Sequence, residues 1–250
     1  MRIMTQVTGS TELNADQRHL CVLGYHKIGA PPADGWQTWF YIPEDIFVRQ
    51  LSFLRDHAWE AINVATFIEG LAQPESLPPK SVLLTFDDGY RSLLETAVPW
   101  LRKFNFPAVV FVPSAYVGGH NEFDAENEPR EPICDWDDLL ELERQGISVE
   151  SHGVAHHRLS QLEPHEQRME IVHSKLILEN RLGKQVSLFS FAYGDDGDAS
   201  EGVNCMLREA GYRASFLYGG GPLTLPVTNQ FAIPRLAMGP ETSLAGDLGD

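Results

Sequence analysis

The sequence predicts an α/β fold built on parallel strands, and three observations carry that expectation. Short β-prone runs alternate with segments of helical length along the chain. Two of the runs stop abruptly at carboxylates or imidazoles, as expected where open sheets and α/β barrels hold ligands at the C-terminal ends of their strands. The chain has 250 residues, no internal repeat and no low-complexity linker, which suits a one-domain α/β barrel.

In order, strands are expected at 21–25, 61–64, 82–85, 108–112, 148–150, 188–192, 214–217 and 231–236, each a short apolar or β-branched run. Helices are expected between them at 43–57, 66–71, 93–104, 136–144, 164–182 and 201–210. The helix at 136–144 opens with acids in its first turn, Asp137 and Asp138, which favour a helix N-terminus.

The third strand runs Val82-Leu83-Leu84-Thr85-Phe86 into Asp87-Asp88-Gly89. Asp-Gly is a common turn signal, so the acids alone are equally consistent with a solvated turn. A second segment of the same design, Ile147-Ser148-Val149-Glu150-Ser151-His152, adds His152 and His156 four residues apart, followed by His157. Histidines at i and i+4 share a face if the backbone between them turns helically, and a carboxylate with two imidazoles makes a three-ligand metal site with one position open. That donor set suits one divalent ion, Zn²⁺ first, with Fe²⁺, Co²⁺ or Ni²⁺ compatible by ligand type. Only one of the neighbouring aspartates is needed as a ligand, and the other is free to act as a base.

These residues carry a family resemblance. Thr85 to Tyr90 and Ser151 to Leu159 resemble the first two motifs, T-F-D-D-G and S-H-x-x-x-H-P, of the polysaccharide deacetylases of carbohydrate esterase family 4, the NodB-homology domain. The match extends from about Cys21 to about Met238 and is closest to the PgaB/IcaB branch, which acts on poly-β-1,6-N-acetylglucosamine. Supporting segments are Gly24-Tyr25-His26-Lys27-Ile28, Leu77-Pro78-Pro79-Lys80-Ser81-Val82 and Phe106-Pro107-Ala108. The resemblance implies a distorted (β/α)7 barrel over 21–250 behind a polar N-terminal extension at 1–20. It implies Asp88, His152 and His156 as metal ligands, a metal-bound water as nucleophile and Asp87 as general base. In this circularly permuted branch the general acid is the N-terminal histidine of a Tyr-His-x-Ile segment, here His26. The implied reaction is hydrolysis of the N-acetyl amide of an N-acetylated glycan or amino sugar. Arg235, in Ile233-Pro234-Arg235, matches a late segment of the branch and could pair with Asp87 to hold it ionised, or could lie at the surface.

The chain departs from the family pattern at several points. His157 stands where proline is usual. The third motif, Phe-Ala-Tyr-Pro-Tyr-Gly in the branch, reads Phe191-Ala192-Tyr193-Gly194-Asp195-Asp196-Gly197, so the proline and second tyrosine are missing. Tyr193 remains as a substrate-binding candidate, and the Asp195-Asp196 pair is either a plain loop or a contact for a positively charged substrate. Trp136 is a second substrate-binding candidate that could stack on a sugar or pack in the core. Trp36, Trp39 and Phe40, in the loop after His26, are either a sugar platform or that loop's own small core.

A net charge of −16 disfavours nucleic acid and anionic membrane surfaces as partners. The three cysteines form neither a disulfide framework nor a metal-ligand spacing. No apolar run is long enough to span a membrane, and the polar first twenty residues lack the apolar core of a secretion signal. Read literally, this places the chain in the cytoplasm, or in the periplasm or outside the cell if its natural start lies further upstream. Two functions remain open: a metal-dependent deacetylase of a glycan or small acetylated sugar, and a catalytically silent carbohydrate-binding protein on the same scaffold.

Overall fold

Alternation along the buried runs decides which side chains face inward. In the computed structural model, which describes residues 18–194 and 196–248, the central strands are β1 (His19–Tyr25), β4 (Glu60–Ala61), β5 (Lys80–Phe86), β6 (Ala108–Val112), β7 (Ile147–Ser151), β8 (Leu188–Ser190), β9 (Ala214–Phe216) and β10 (Leu236–Ala237). Every pairing among them is parallel, in the order β10-β1-β5-β6-β7-β8-β9. A parallel bridge between Phe216 and Ile233 brings the segment before β10 back onto β9, so the sheet curls into the expected seven-stranded barrel. The distortion lies at β5. Its first half pairs with β4 at Ser81 and Val82, and its second half with β6 at Thr85 and Phe86.

Because strand side chains alternate between faces, Leu20, Val22, Leu83, Val109, Phe111, Leu188, Phe216 and Ile233 form an inner cluster. Cys21, Leu23, Tyr25, Val82, Leu84, Val110 and Val149 point outward and are covered by helices. Those helices are α1 (Glu44–Asp56), α2 (Val64–Ala72), α3 (Val98–Phe104), α4 (Trp136–Arg144), α5 (Pro164–Leu182), α6 (Glu201–Ala210) and α7 (Leu244–Leu248). Local chemistry fixes their starts. Asp135 and Asp138 form a reciprocal capping box on α4, and Pro164 opens α5 where its missing N–H costs nothing.

Several boundaries differ from expectation. The first strand starts at His19, inside the segment read as an extension, while residues 1–17 of that extension lie outside the described residues, as do Asp195 and the Asp196 side chain. The strand expected at 61–64 ends at Ala61, because Asn63 accepts the Thr66 N–H at 2.9 Å and caps α2, overriding the β-propensity of Val64. The helix expected at 93–104 is broken: Leu93–Ala97 forms a wider π-type turn before α3, since Pro99 has no N–H to continue the ladder. The strand expected at 231–236 is reduced to β10 plus the Ile233 bridge, interrupted by Pro234 for the same reason. A short parallel pair, β2 (Lys27–Ile28) with β3 (Tyr41–Ile42), was not expected and ties down the loop after His26.

Inside the barrel, Phe216 stands 5.4 Å from Phe111 and 5.5 Å from Phe67, ring centroid to centroid. Replacing Phe216 with alanine should cost about 3–5 kcal/mol of unfolding free energy, read from urea denaturation. A loss below about 1 kcal/mol would mean that the inner cluster relaxes around the void.

Candidate active site

The parity that buries Leu83 also places Thr85 and Asp87 on the inward face of the same strand, and Ser190 and Arg235 follow Leu188 and Ile233 inward. Glu150 and His152 likewise alternate with outward-facing Val149. The C-terminal end of the barrel therefore gathers polar side chains over an apolar plug, and Asp87, Asp88, His152, His156 and Arg235 are all buried there.

Arg235 organises this end. Its guanidinium is fully buried and commits all five N–H donors: Nη1 to Asp87 Oδ1 at 2.7 Å and to Thr85 Oγ1 at 3.1 Å, Nη2 to Asp87 Oδ2 at 2.6 Å and to Ser190 Oγ at 2.9 Å, and Nε to the Leu217 carbonyl at 2.8 Å. Burial alone would push the Asp87 carboxyl up, but Arg235 foremost, with His152 and His26, holds it below the usual carboxylate range.

Asp88 follows in a left-handed conformation, φ 70°, a strained state for a residue with a side chain. Its Oδ1 lies 3.3 Å from His152 Nε2 and 3.2 Å from His156 Nε2, and one donor atom from each of the three residues falls within 4.8 Å of the others. A tetrahedral ion with bonds of about 2.0 Å has ligand edges of roughly 3.3 Å, so the cluster fits a divalent metal. Two further observations agree. Asp88 Oδ1 is buried with no hydrogen-bond partner. His152 Nδ1 donates to the Ser190 carbonyl at 2.8 Å, which leaves Nε2 with its lone pair facing Asp88. The backbone between the two histidines is not helical, so the condition under which their spacing would put them on one helix face is not met. It is a loop with left-handed turns at Gly153, φ 81°, and His156, φ 57°, and these bring the two rings together without a shared helix face.

His26 sits across from this cluster, Nε2 4.0 Å from Asp88 Oδ2, with a side chain 14 % exposed. Its ring packs on Phe40 at 4.5 Å and edge-on against Tyr218 at 5.0 Å. Burial lowers its pKa, and the nearby Asp88 and Asp87 only partly offset that. The mouth between these groups is a cavity of about 130 Å³ lined by His26, Asp88, His152, His156, Tyr193 and Tyr218. Phe40, Tyr90, Lys27, Asp124 and Glu128 complete its wall.

Tyr193 is 44 % exposed at the rim, with its ring 4.9 Å from His156 and Arg158 stacked over it. Trp136 does not line the cavity. It is half-buried against the outer core with Arg181 over its ring at 5.2 Å, because it is the first residue of α4 and the helix packs there. Trp36 and Trp39 are exposed, so they do not form a small core of their own. Trp39 meets Phe40 edge-on and extends the aromatic surface outward from His26. The departure at Gly194 has a conformational basis: its φ of 67° is closed to proline, and a Cβ there would collide with the backbone N of Tyr218.

Sequence reasoning missed Lys27, Asp124 and Glu128. Lys27 is buried between the Tyr41 and Tyr90 rings, 4.6 Å from each, and donates to Glu128 at 2.6 Å. Its place next to His26 was the available signal. Asp124 and Glu128 sit in an acid-rich loop that reads as solvated, and nothing in its sequence marks them.

The sequence profile of the family described as Polysaccharide deacetylase matches residues 75–215. The chain is 27 % identical over 175 residues to YxkH of Bacillus subtilis (strain 168), covering 70 % of this chain and 57 % of that protein. It is 27 % identical over 135 residues to the poly-β-1,6-N-acetyl-D-glucosamine N-deacetylase of Escherichia coli (strain K12), covering 52 % of this chain and 20 % of that one. The match thus spans less than two thirds of both relatives. Among solved structures, the Streptococcus pyogenes deacetylase PplD in complex with acetate has the same fold, with a TM-score of 0.76, 20 % identity, and coverage of 90 % of this chain and 94 % of that one.

Replacing Arg235 with methionine leaves Asp87 buried without its partner and should cost about 3–5 kcal/mol at neutral pH. In the wild type the folded pKa of Asp87 is depressed, so its stabilising contribution is present above the ordinary carboxylate pKa and lost as pH falls through the lower folded value. In the variant, burial raises that pKa instead. The stability gap should therefore narrow as pH falls toward 4, which denaturant titrations of the metal-free proteins across pH would read. A gap independent of pH would show that Arg235 does not set the ionisation of Asp87.

Proposed function

The chain belongs to the polysaccharide deacetylase family, and from that premise we propose that it is a metal-dependent hydrolase that removes acetyl groups from an N-acetylated glycan of the poly-N-acetylglucosamine kind. The observation that carries this reading is a buried carboxylate, Asp87, fixed bidentately by Arg235 beside a separate three-residue ligand cluster. A module that only bound sugar would have no use for a locked ionised acid next to an ion site. The altered segment at Tyr193 and Gly194 changes the rim of the cavity but removes none of the acid, base or ligand groups.

Asp88, His152 and His156 would hold the ion, Zn²⁺ first by ligand type, with Fe²⁺, Co²⁺ or Ni²⁺ also suited. Bound there, a divalent ion would supply Lewis-acid polarisation of the amide carbonyl and would lower the pKa of water toward about 7. The remaining work falls to the chain. Asp87 accepts the proton of the attacking water, and Arg235 keeps it ionised and its oxygens fixed in direction. Breaking the C–N bond requires a proton on the departing nitrogen, and His26 faces the cavity from the opposite side to deliver it. Products are acetate and the free amine. Tyr193 and the exposed Trp39 offer ring faces on which pyranose C–H groups can lie. Among the described residues, no helix is long and apolar enough to cross a membrane.

Amine release from acetylated β-1,6-glucosamine oligomers and chitooligosaccharides should depend on metal: a chelator abolishes it and added Zn²⁺ restores it. A protein that binds Zn²⁺ and these oligomers but releases no amine would instead be a silent carbohydrate binder. Asp87→Asn should retain metal by elemental analysis and lose about 10²–10⁴-fold in turnover. His26→Ala should likewise keep its metal and lose about 10²-fold or more, and an unchanged rate would remove His26 as the acid.

A further inference from the structure

Resting on the metal-site reading above, we infer that Glu170 is a positioning residue that sets the separation and direction of His152 and His156. Glu170 lies on α5 and is only 6 % exposed, yet among the described residues it pairs with no lysine or arginine. Its carboxylate turns instead to the loop between the two histidines. Oε2 accepts the Val154 N–H at 2.6 Å and the Ala155 N–H at 3.0 Å, and Oε1 lies 3.1 Å from His157 Nδ1. One buried acid therefore anchors Val154 and Ala155, between the two histidines, and His157, immediately after the second.

The loop needs such an anchor. His156 is left-handed, a conformation unfavourable for a residue with a side chain, and the segment forms no helix or strand of its own: the Ser114 and Ala115 N–H groups hold its Gly153 and Val154 carbonyls, and Glu170 holds its N–H side. Convergent backbone N–H groups at 154 and 155 form a small anion-binding concavity, and Glu170 fills it. Gly153 fits the same arrangement, since a Cβ there would stand 2.8 Å from Glu170 Oε2. The helix grips the other side of His152 as well: Ser174, one turn along α5, pairs with Ser151 Oγ at 2.8 Å. His157, at the position where proline is usual in the family, thereby gains a tether through its ring in place of a restricted φ.

The test uses the full chain stripped of metal. Zn²⁺ affinity is measured by competition with a chromophoric chelator, Co²⁺ coordination by its d–d absorption, and the metal-free fold by thermal unfolding. Glu170→Gln keeps the length of the side chain but removes its charge and leaves a single acceptor oxygen, with an amide NH₂ in place of the second. It should weaken Zn²⁺ binding about 10–100-fold and alter the Co²⁺ spectrum while the metal-free protein melts within a few degrees of wild type. Gly153→Ala, which pushes the loop off Glu170, should weaken Zn²⁺ binding in the same direction. Zn²⁺ affinity within twofold of wild type in Glu170→Gln would overturn the inference, as would a loss that merely follows the unfolded fraction. Should Glu170→Gln fail to fold, an unchanged affinity in Gly153→Ala overturns it. If the wild type itself binds no divalent ion, the metal-site reading fails first and the inference falls with it.

Discussion

The architecture of the site hangs on one buried guanidinium. Arg235 arrives on the segment that closes the barrel, and its five donors reach the strand bearing Asp87, the end of β8 at Ser190 and the carbonyl of Leu217 after β9. Closure of the sheet and ionisation of the acid are thus a single interaction. A buried arginine paired to one carboxylate is costly to desolvate, and the pair is sustained because every remaining N–H is satisfied. The same contact limits Asp87 in its proposed role as a base, since a carboxylate held below its usual range is less basic. What it gains is a fixed direction and an ionised state that persists into acid.

Which parts of this were legible in the sequence follows from how local each signal is. Apolar runs ending in Asp87-Asp88 and in His152 are strand ends by composition alone, and period-two alternation then dictates that Asp87 and His152 face inward. Helices α4, α5 and α6 were readable to the residue because their caps and their apolar spacing lie within the elements themselves. The misreadings occurred where one residue overrides its surroundings: Asn63 starting a helix in a β-prone stretch, and Pro99 and Pro234 interrupting ladders. Lys27, Asp124 and Glu128 stayed hidden for another reason. Their role comes from the return of a distant loop onto the cavity, about a hundred residues after His26, and a single sequence does not record such contacts.

The histidine pair shows two side chains brought together by a geometry other than the one their spacing suggests. Four-residue spacing suggests a helical turn, yet the loop reaches the same convergence through Gly153 and His156 in left-handed conformations. Gly153 could be anticipated as a turn, but a left-handed histidine could not, because only its surroundings make it tolerable. Phe123 stacks on the His156 ring at 4.1 Å and Tyr193 meets its edge, so packing supplies part of that tolerance. Left-handed backbone at residues with side chains occurs at Asp88, His156 and Tyr193 around the cavity, and also at Ala58 and Asn105 away from it.

Charge accounting at the cavity points the same way as the geometry. Of the carboxylates that meet there, Asp87 is neutralised by Arg235 and Glu128 by Lys27. Asp88 and Asp124 have no ion pair with a lysine or arginine among the described residues. Burial, and then the charge of Asp88, pushes the Asp124 carboxyl up, while Asp88, also buried, is held well below the usual carboxylate range by His152 and His156. In the metal-free protein Asp88 is offset by imidazoles alone, and a doubly charged ion on the same three residues would take over that role. The histidines add direction to that attraction, and an ion seated on Asp88 would oppose the negative charge that helps to raise Asp124.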